Sequence, residues 1–353
     1  MPGELTPFQY ATVPIAFVIK AVVATLLPLS SMFSIASLFS ALSVAVMFVL
    51  LRRHRPSSIS YRVMFRAMFP SWWYRNPSFK ADVWFLLFSV LIFGGLFGWA
   101  MMSADFVSSR VSGVLTMQFG PSGGFGLSPM IANAVSAFTI FIAYELAYWV
   151  DHYLKHRVPL LWEFHKTHHT AEVLSPLTNF RVHPVDSIIF GNIVALFMGT
   201  THGVLTYLNF STAGGAGVSV IAVAFMWILG HLHHSHLWLP TTGPLGCVIL
   251  SPAHHQLHHS DNPKHFNKNF GAFLSIWDCM FGTLHLPERR PQRLNFGVGH
   301  RVAHEHTLRG ALITPFALAW RHVRPVSRSR GTRTAAEQRP RAHDSVSVDA
   351  SID

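Results

Sequence analysis

Residues Met130–His169 read MIANAVSAFTIFIAYELAYWVDHYLKHRVPLLWEFHKTHH, and they join an apolar run to a series of histidines. The apolar part, Met130–Val150, has about the 20 residues that an α-helix needs to cross the hydrocarbon core of a bilayer. Five histidines follow it at once, at positions 152, 156, 165, 168 and 169. The stretch therefore predicts a membrane-spanning helix that presents metal-binding side chains at the membrane surface.

Other apolar runs extend this pattern along the chain. Further spans are predicted at Ser31–Leu51, Val83–Met102, Ser187–Leu208 and Ala216–Gly230, and Ala11–Leu29 either spans or lies in the interface. The segment between Ser103 and Pro129 is expected to be a loop. We therefore expect an all-α fold, an integral membrane helical bundle with a cytoplasmic histidine-rich helical cap that holds a dimetal site.

Composition agrees with a membrane protein. Half of the 353 residues are hydrophobic and only 12% are charged, against about 25% charged in soluble proteins. The net charge of +11 fits the basic loops of a multi-pass protein, since Arg52, Arg53 and Arg55 directly follow the first predicted span. We expect no nucleic-acid partner, because no basic patch alternates with aromatic residues in a known binding module. The histidine clusters and the C-terminus are predicted to be cytoplasmic.

The histidines are unusually many and unevenly distributed. Fifteen of the 23 lie between His152 and His259. Thirteen of these form four clusters: His152 and His156; His165, His168 and His169; His231, His233, His234 and His236; and His254, His255, His258 and His259. Residues three and four apart share a face of a helix, so each cluster can turn two or three imidazoles toward a common centre.

So many imidazoles exceed the needs of one ion, because a zinc site closes with four ligands. Two ions are therefore expected, but imidazole suits zinc, copper, iron and nickel alike. A pH-sensing cluster is the alternative without metal, and it would not need the repeated spacing. The His-Glu-x-x-His signature of zinc hydrolases is absent. Redox chemistry on a lipid fits such a site better than hydrolysis does.

The motifs around these histidines resemble those of the fatty-acid hydroxylase and sterol desaturase superfamily. Four stretches carry the resemblance: Tyr148–His169, Asn179–Pro184, His233–Pro240, and Pro252–Thr283 with its His-x-x-His-His, Asn-Phe-Gly and Trp-Asp motifs. Tyr153, Glu145 and His236 depart from the usual pattern of the family. The resemblance covers roughly residues 145–283.

This resemblance implies a non-haem di-iron centre with two Fe ions, O₂ as co-substrate, and hydroxylation or desaturation of a lipid. The expected metal ligands are His152, His156, His165, His168, His169, His231, His234, His255, His258 and His259. In the third cluster, His231 and His234 are chosen because they lie three residues apart. Asp278, Arg181 and His183 are expected around these ligands, with Asp278 accepting a hydrogen bond from an imidazole and His183 equally suited to be a ligand.

Three domains are expected: an N-terminal transmembrane and interfacial segment, residues 1–129; a catalytic domain, residues 130–310; and a basic disordered tail, residues 311–353. No dinucleotide fingerprint or iron–sulfur cysteine set is present in the sequence, so a separate electron-donor protein is expected, such as a b-type cytochrome, a ferredoxin or a reductase. A metal-dependent membrane hydrolase or isomerase and a non-catalytic metal-binding membrane protein remain the alternatives. The lipid substrate itself cannot be read from the sequence.

Overall fold

The computed structural model describes residues 7–52, 61–210, 220–299 and 304–324, and these are helical apart from turns and two isolated β-bridges. The α-helices are α1 (Pro7–Leu26), α2 (Ile35–Arg52), α3 (Tyr61–Met68), α4 (Ser71–Arg75), α5 (Pro77–Phe88), α6 (Gly94–Phe97), α7 (Ala104–Phe119), α8 (Pro129–Arg157), α9 (Pro159–His169), α10 (Pro184–Tyr207), α11 (Val220–Phe225), α12 (His231–His233), α13 (Gly243–Gly246), α14 (Pro252–His258), α15 (Ile276–Met280) and α16 (Leu308–Val323). Two π-helical turns, Ser89–Phe93 and Met226–Gly230, and three 3₁₀ turns, Gly98–Ala100, Pro176–Phe180 and Pro263–His265, connect them. The all-α prediction is confirmed for the described residues.

Three helical segments of the described chain are long and apolar enough to cross a membrane: Pro77–Phe119, Pro129–Arg157 and Pro184–Tyr207. They include the predicted spans at Val83–Met102, Met130–Val150 and Ser187–Leu208. Shorter apolar helices lie at Ala16–Leu26, Ile35–Leu51 and Val220–His233, and they overlap the remaining predicted runs. Residues 211–219, which include the turn expected before the fifth run, lie outside the described part.

The segment expected to be a loop after Ser103 is mostly helix α7, and this expectation was wrong. Helix α7 packs along α10, where Gly199 and Gly203 face it across one turn. A Cβ at Gly199 would lie 2.6 Å from the Ala104 carbonyl oxygen, and one at Gly203 would lie 2.6 Å from that of Ser108. Small residues spaced by four allow two backbones to approach closely in a membrane bundle, a tertiary effect that the hydropathy of α7 does not reveal.

A cap of short elements carries most of the histidines at one end of α8 and α10. It consists of residues 158–183 and 231–285, and we call it the histidine cap. The buried carboxylate of Glu145 fastens it, because it accepts hydrogen bonds from the backbone N–H groups of Phe273 and Leu274, at 3.1 and 2.8 Å. The cap is therefore tied directly to the long helix whose C-terminal end supplies the first histidines.

The C-terminal region differs from its prediction. The disordered tail was expected from residue 311, but Leu308–Val323 forms α16, which packs against α9. Its buried residues Ala311, Pro315 and Ala319 recur every four positions, which is the spacing of one helical face. The basic composition of residues 311–353 led to the prediction of disorder and gave no indication of this short apolar stripe. Residues 325–353 lie outside the described part.

Candidate metal centre

Nine of the predicted ligand histidines converge in two groups of ring nitrogens. The first, called the five-histidine group, consists of His152, His156, His165, His169 and His258. The second, called the four-histidine group, consists of His168, His234, His255 and His259. Within each group the nitrogens lie within 4.8 Å of one another. The groups are adjacent, since the rings of His169 and His259 stack with centroids 4.5 Å apart.

A sharp turn between α8 and α9 builds most of the five-histidine group. Helix α8 ends at Arg157, and Pro159 at the first position of α9 holds Val158 in an extended conformation. The turn brings the last histidines of α8 against those of α9: His169 Nε2 lies 3.1 Å from His156 Nε2 and 3.3 Å from His165 Nε2. The Nε2 atoms of His152 and His258 are enclosed and have no hydrogen-bond partner among the described residues.

The four-histidine group is centred on His234. Its Nε2 atom lies 3.0 Å from that of His168, 2.9 Å from that of His255 and 3.1 Å from that of His259. One N–H can donate to only one of these neighbours, so hydrogen bonding alone leaves lone pairs facing each other. Bonds of about 2.1 Å to one metal ion place neighbouring imidazole nitrogens roughly 3.0–3.4 Å apart. The spacing in both groups is therefore that of metal ligands.

Burial keeps five of these imidazoles neutral. Loss of hydration lowers the pKa of His168 and of His258 to about 3. Burial likewise holds the pKa values of His169, His255 and His259 well below the ordinary value, and the neighbouring imidazoles lower them further. A neutral imidazole has a free lone pair and is the form that binds metal. The residues present thus fit a pair of metal ions without any carboxylate ligand.

Hydrogen bonds from Nδ1 orient three rings of the five-histidine group. His152 donates to the Phe270 carbonyl oxygen at 2.9 Å, and His258 donates to that of Lys268 at 2.7 Å. His165 donates to the Asp186 carboxylate at 2.9 Å. When Nδ1 carries the proton, Nε2 keeps its lone pair, so these contacts select the metal-binding tautomer.

The carboxylate of Asp186 belongs to a buried ion cluster beside this group. Lys155 lies between two aspartates, with Nζ 2.6 Å from Asp151 and in contact with the Asp186 carboxylate. All three side chains are at most 5% exposed. Lys155 was not among the predicted site residues, although its position four residues after Asp151 on α8 places the two on one helical face.

The structure divides the histidine motifs differently from the expectation of one centre per motif. In His165-x-x-His168-His169, the first and last residues join the five-histidine group and the middle one joins the four-histidine group. In His255-x-x-His258-His259 the assignment is reversed. Residues four apart differ by about 40° around a helix, whereas adjacent residues differ by about 100°. Each motif therefore contributes to both groups.

His231, the tenth predicted ligand, lies in neither group. Its Nε2 atom contacts the Met32 carbonyl oxygen at 2.6 Å. The prediction assumed that His231 and His234 share a helical face, but α12 ends at His233 and His234 has φ −100° and ψ 62°. The change in backbone direction turns His234 toward the site and leaves His231 against the start of the chain. His233, which was not among the predicted ligands, contacts the Leu250 carbonyl oxygen at 3.1 Å.

The three residues expected around the ligands have structural contacts instead. Arg181 forms a fully buried ion pair with Asp82 at 3.1 Å. His183 caps α10 by accepting the Val185 N–H at Nδ1, and it donates from Nε2 to the Leu312 carbonyl oxygen at 3.0 Å, so both of its ring nitrogens are occupied. Asp278 bonds no imidazole among the described residues: it accepts the N–H groups of Phe270 and Gly271, both at 2.9 Å. Asp278 is therefore linked to His152 through the Phe270–Gly271 peptide, whose N–H group bonds Asp278 and whose carbonyl oxygen bonds His152.

A cavity of about 500 Å³ opens beside both groups. His152 and His165 line it from the five-histidine group, and His168, His234 and His255 line it from the other. Its opposite part runs between α8, α10 and α11 and is mostly apolar. This shape suits a long apolar molecule with one part at the histidines.

Comparison with known proteins agrees with this geometry. Residues 137–283, which contain all nine converging histidines, match the fatty acid hydroxylase family model. Over this region, the chain is similar to the fatty acid hydroxylase family. The expected resemblance is thereby confirmed, and the fatty acid hydroxylase region includes the turn between α8 and α9 and nearly all of the histidine cap.

Among curated relatives of this fatty acid hydroxylase region is the ornithine lipid hydroxylase of Rhizobium tropici, 30% identical over 45% of this chain and 44% of the relative. The human alkylglycerol monooxygenase is 26% identical over 47% of the chain and 33% of the relative. The very-long-chain aldehyde decarbonylase CER1 of Arabidopsis thaliana is 28% identical over 39% and 21%. The chain thus spans less than half the length of these relatives. No solved structure matches it.

Proposed function

We propose that this protein is a membrane-bound non-haem di-iron oxygenase that hydroxylates a lipid, with residues 130–310 as its catalytic domain. One observation carries the proposal: two adjacent groups of buried histidine nitrogens at metal-ligand spacing open onto one largely apolar cavity between membrane-length helices. A pH sensor needs neither the spacing nor the cavity, and a structural metal site needs no cavity.

Iron is proposed because the site and the relatives point to redox chemistry. Imidazole also binds zinc, copper and nickel, so the ligand type alone does not choose the metal. Two of the relatives named above are a hydroxylase and a monooxygenase. Bound iron would supply the activation of O₂ that attack on an unactivated C–H bond requires. We favour hydroxylation over desaturation because these two relatives are a hydroxylase and a monooxygenase.

The chain's own residues have three tasks in this proposal. The nine histidines hold the metal pair, and the hydrogen bonds from His152, His165 and His258 keep their rings oriented. The cavity walls from α8, α10 and α11 exclude water and hold the lipid chain against the histidines. Asp186 balances the positive charge of Lys155 and fixes His165.

Electrons would come from a separate donor protein, either a b-type cytochrome, a ferredoxin or a reductase. We propose that the histidine cap faces the cytoplasm, because basic residues such as Arg62, Arg66 and Arg75 lie in the segment between the first two predicted spans. In this orientation the donor reaches the cap from the aqueous side, and the lipid enters the cavity from the bilayer.

The proposal is tested on protein purified in detergent after iron-replete expression. We expect about two irons per chain, O₂ uptake that depends on reductant, and a gain of one oxygen in a lipid of a membrane extract, seen by mass spectrometry. His168→Ala should lose iron and activity, while His285→Ala, a half-buried histidine outside both groups, should keep both. Zinc at both positions with no O₂ uptake would instead favour the hydrolase or metal-binding alternatives.

A further inference from the structure

Two tyrosine hydroxyls in the cavity wall have no hydrogen-bond partner among the described residues. Tyr144 and Tyr148 lie four residues apart on α8 and both line the cavity. Their rings are packed: Tyr144 stacks on Phe273 with centroids 6.5 Å apart, and Tyr148 meets Phe190 edge-on at 5.6 Å. The packing fixes both rings while leaving the hydroxyls unused.

The hydroxyls are not enclosed, and both residues line the cavity. Sixteen side-chain polar atoms of the described residues are fully enclosed without a partner, and neither tyrosine oxygen is among them. The two oxygens are therefore accessible, although both residues are half-buried. A phenol without a partner in an apolar, membrane-embedded wall is unfavourable, and phenylalanine would fill the same space without that cost. Phe190 and Phe273 show that this wall accommodates phenylalanine.

Neighbouring hydrogen-bond donors of α8 are already used. Lys155 is paired with Asp151 and Asp186. On another face of the helix, the buried Trp149 donates its Nε1–H to Asp278 at 3.2 Å. The donors that flank the two phenols along α8 are thus satisfied within the protein, whereas the phenols themselves are left to face the cavity.

We propose that Tyr144 and Tyr148 form a hydrogen-bond donor pair that binds an oxygen acceptor of the substrate. The substrate class is a lipid with an ester, ether or amide oxygen within its apolar part, and not a plain hydrocarbon chain. The inference rests on the proposed function, since it takes the cavity to be the substrate site. Along α8, Tyr148 lies about 6 Å and Tyr144 about 12 Å from His152, so the acceptor oxygen lies close to the reacting carbon.

Binding measurements on the detergent-purified full chain test this inference without reductant or turnover. The radiolabelled probes are methyl palmitate, hexadecyl methyl ether and hexadecane, compared by scintillation proximity. We expect one or both oxygen-containing probes to bind more tightly than hexadecane. Tyr144→Phe and Tyr148→Phe should each weaken that binding roughly 3- to 10-fold, the value of one hydrogen bond, and should leave hexadecane binding unchanged.

Tyr153→Phe is the matched control, because Tyr153 lies on α8 outside the cavity and stacks on Trp149 at 4.9 Å. If the variants weaken binding of methyl palmitate, the pair binds an ester oxygen; if they weaken binding of hexadecyl methyl ether, it binds an ether oxygen. The inference is overturned if hexadecane binds as tightly as both other probes, if the phenylalanine variants bind all three like the wild type, or if they weaken all three equally. Iron content and O₂ uptake are measured separately, so failure of the oxygenase proposal is distinguishable from failure of this one.

Discussion

The two histidine groups differ in how the protein supports them. Three rings of the five-histidine group donate from Nδ1 to fixed acceptors, the carbonyl oxygens of Phe270 and Lys268 and the Asp186 carboxylate. In the four-histidine group, the Nδ1 atoms of His234, His255 and His259 are enclosed without a partner among the described residues. Outer hydrogen bonds fix the tautomer and strengthen metal ligands. We therefore expect the first group to bind its ion more tightly.

The largest effect is expected from removing His234, the centre of the weaker group. His234→Ala leaves three histidines there, whereas His258→Ala leaves four in the other group. We expect His234→Ala to release one metal ion per chain and to lower turnover at least 100-fold. His258→Ala should retain more metal than His234→Ala does. Elemental analysis after dialysis measures both variants, and equal metal loss would contradict the difference between the groups.

Lys155→Met tests the ion cluster that stands only beside the five-histidine group. Removing the ammonium leaves the carboxylates of Asp151 and Asp186 buried without their cation. Loss of one partner from a buried pair typically costs about 3–5 kcal/mol. We expect a clearly lower thermal unfolding temperature in detergent. Lys264→Met, at an exposed position, is the control, and similar unfolding temperatures for the two variants would refute a role of the cluster in stability.

Asp186→Asn tests the orienting hydrogen bond while keeping the shape of the side chain. The amide can still accept from His165, but the negative charge is lost. Changes of this kind lower metal affinity about 10- to 100-fold. In a chelator competition, we expect the affinity for the more tightly held ion to fall. The affinity for the more weakly held ion should change little. A uniform loss of both ions would mean that the groups are not supported independently.

The smallest effect is expected at His231, which the sequence suggested as a ligand. His231→Ala removes the contact with the Met32 carbonyl oxygen, and a single hydrogen bond contributes about 1 kcal/mol. Metal content should stay at the wild-type value, with a slightly lower unfolding temperature. Loss of metal in this variant would instead support His231 as a metal ligand.

The sequence by itself determined that the protein is all-α, where its long apolar helices lie, and which histidine motifs supply the site. Helical periods and apolar run lengths are local properties, so His152, His156 and the two His-x-x-His-His motifs are recognisable from residue spacing alone. The motifs also carried the family resemblance that the match over residues 137–283 confirmed.

Only the tertiary structure decided how the nine histidines divide between two groups, because that depends on how α8, α9 and α14 face each other. The end of α12 excluded His231, and the pairing of Arg181 with Asp82, distant in sequence, removed Arg181 from the site. The Asp151–Lys155–Asp186 cluster and the packing of α7 on Gly199 and Gly203 likewise join residues from separate helices. Contacts of this kind depend on how helices pack, which local sequence patterns do not specify.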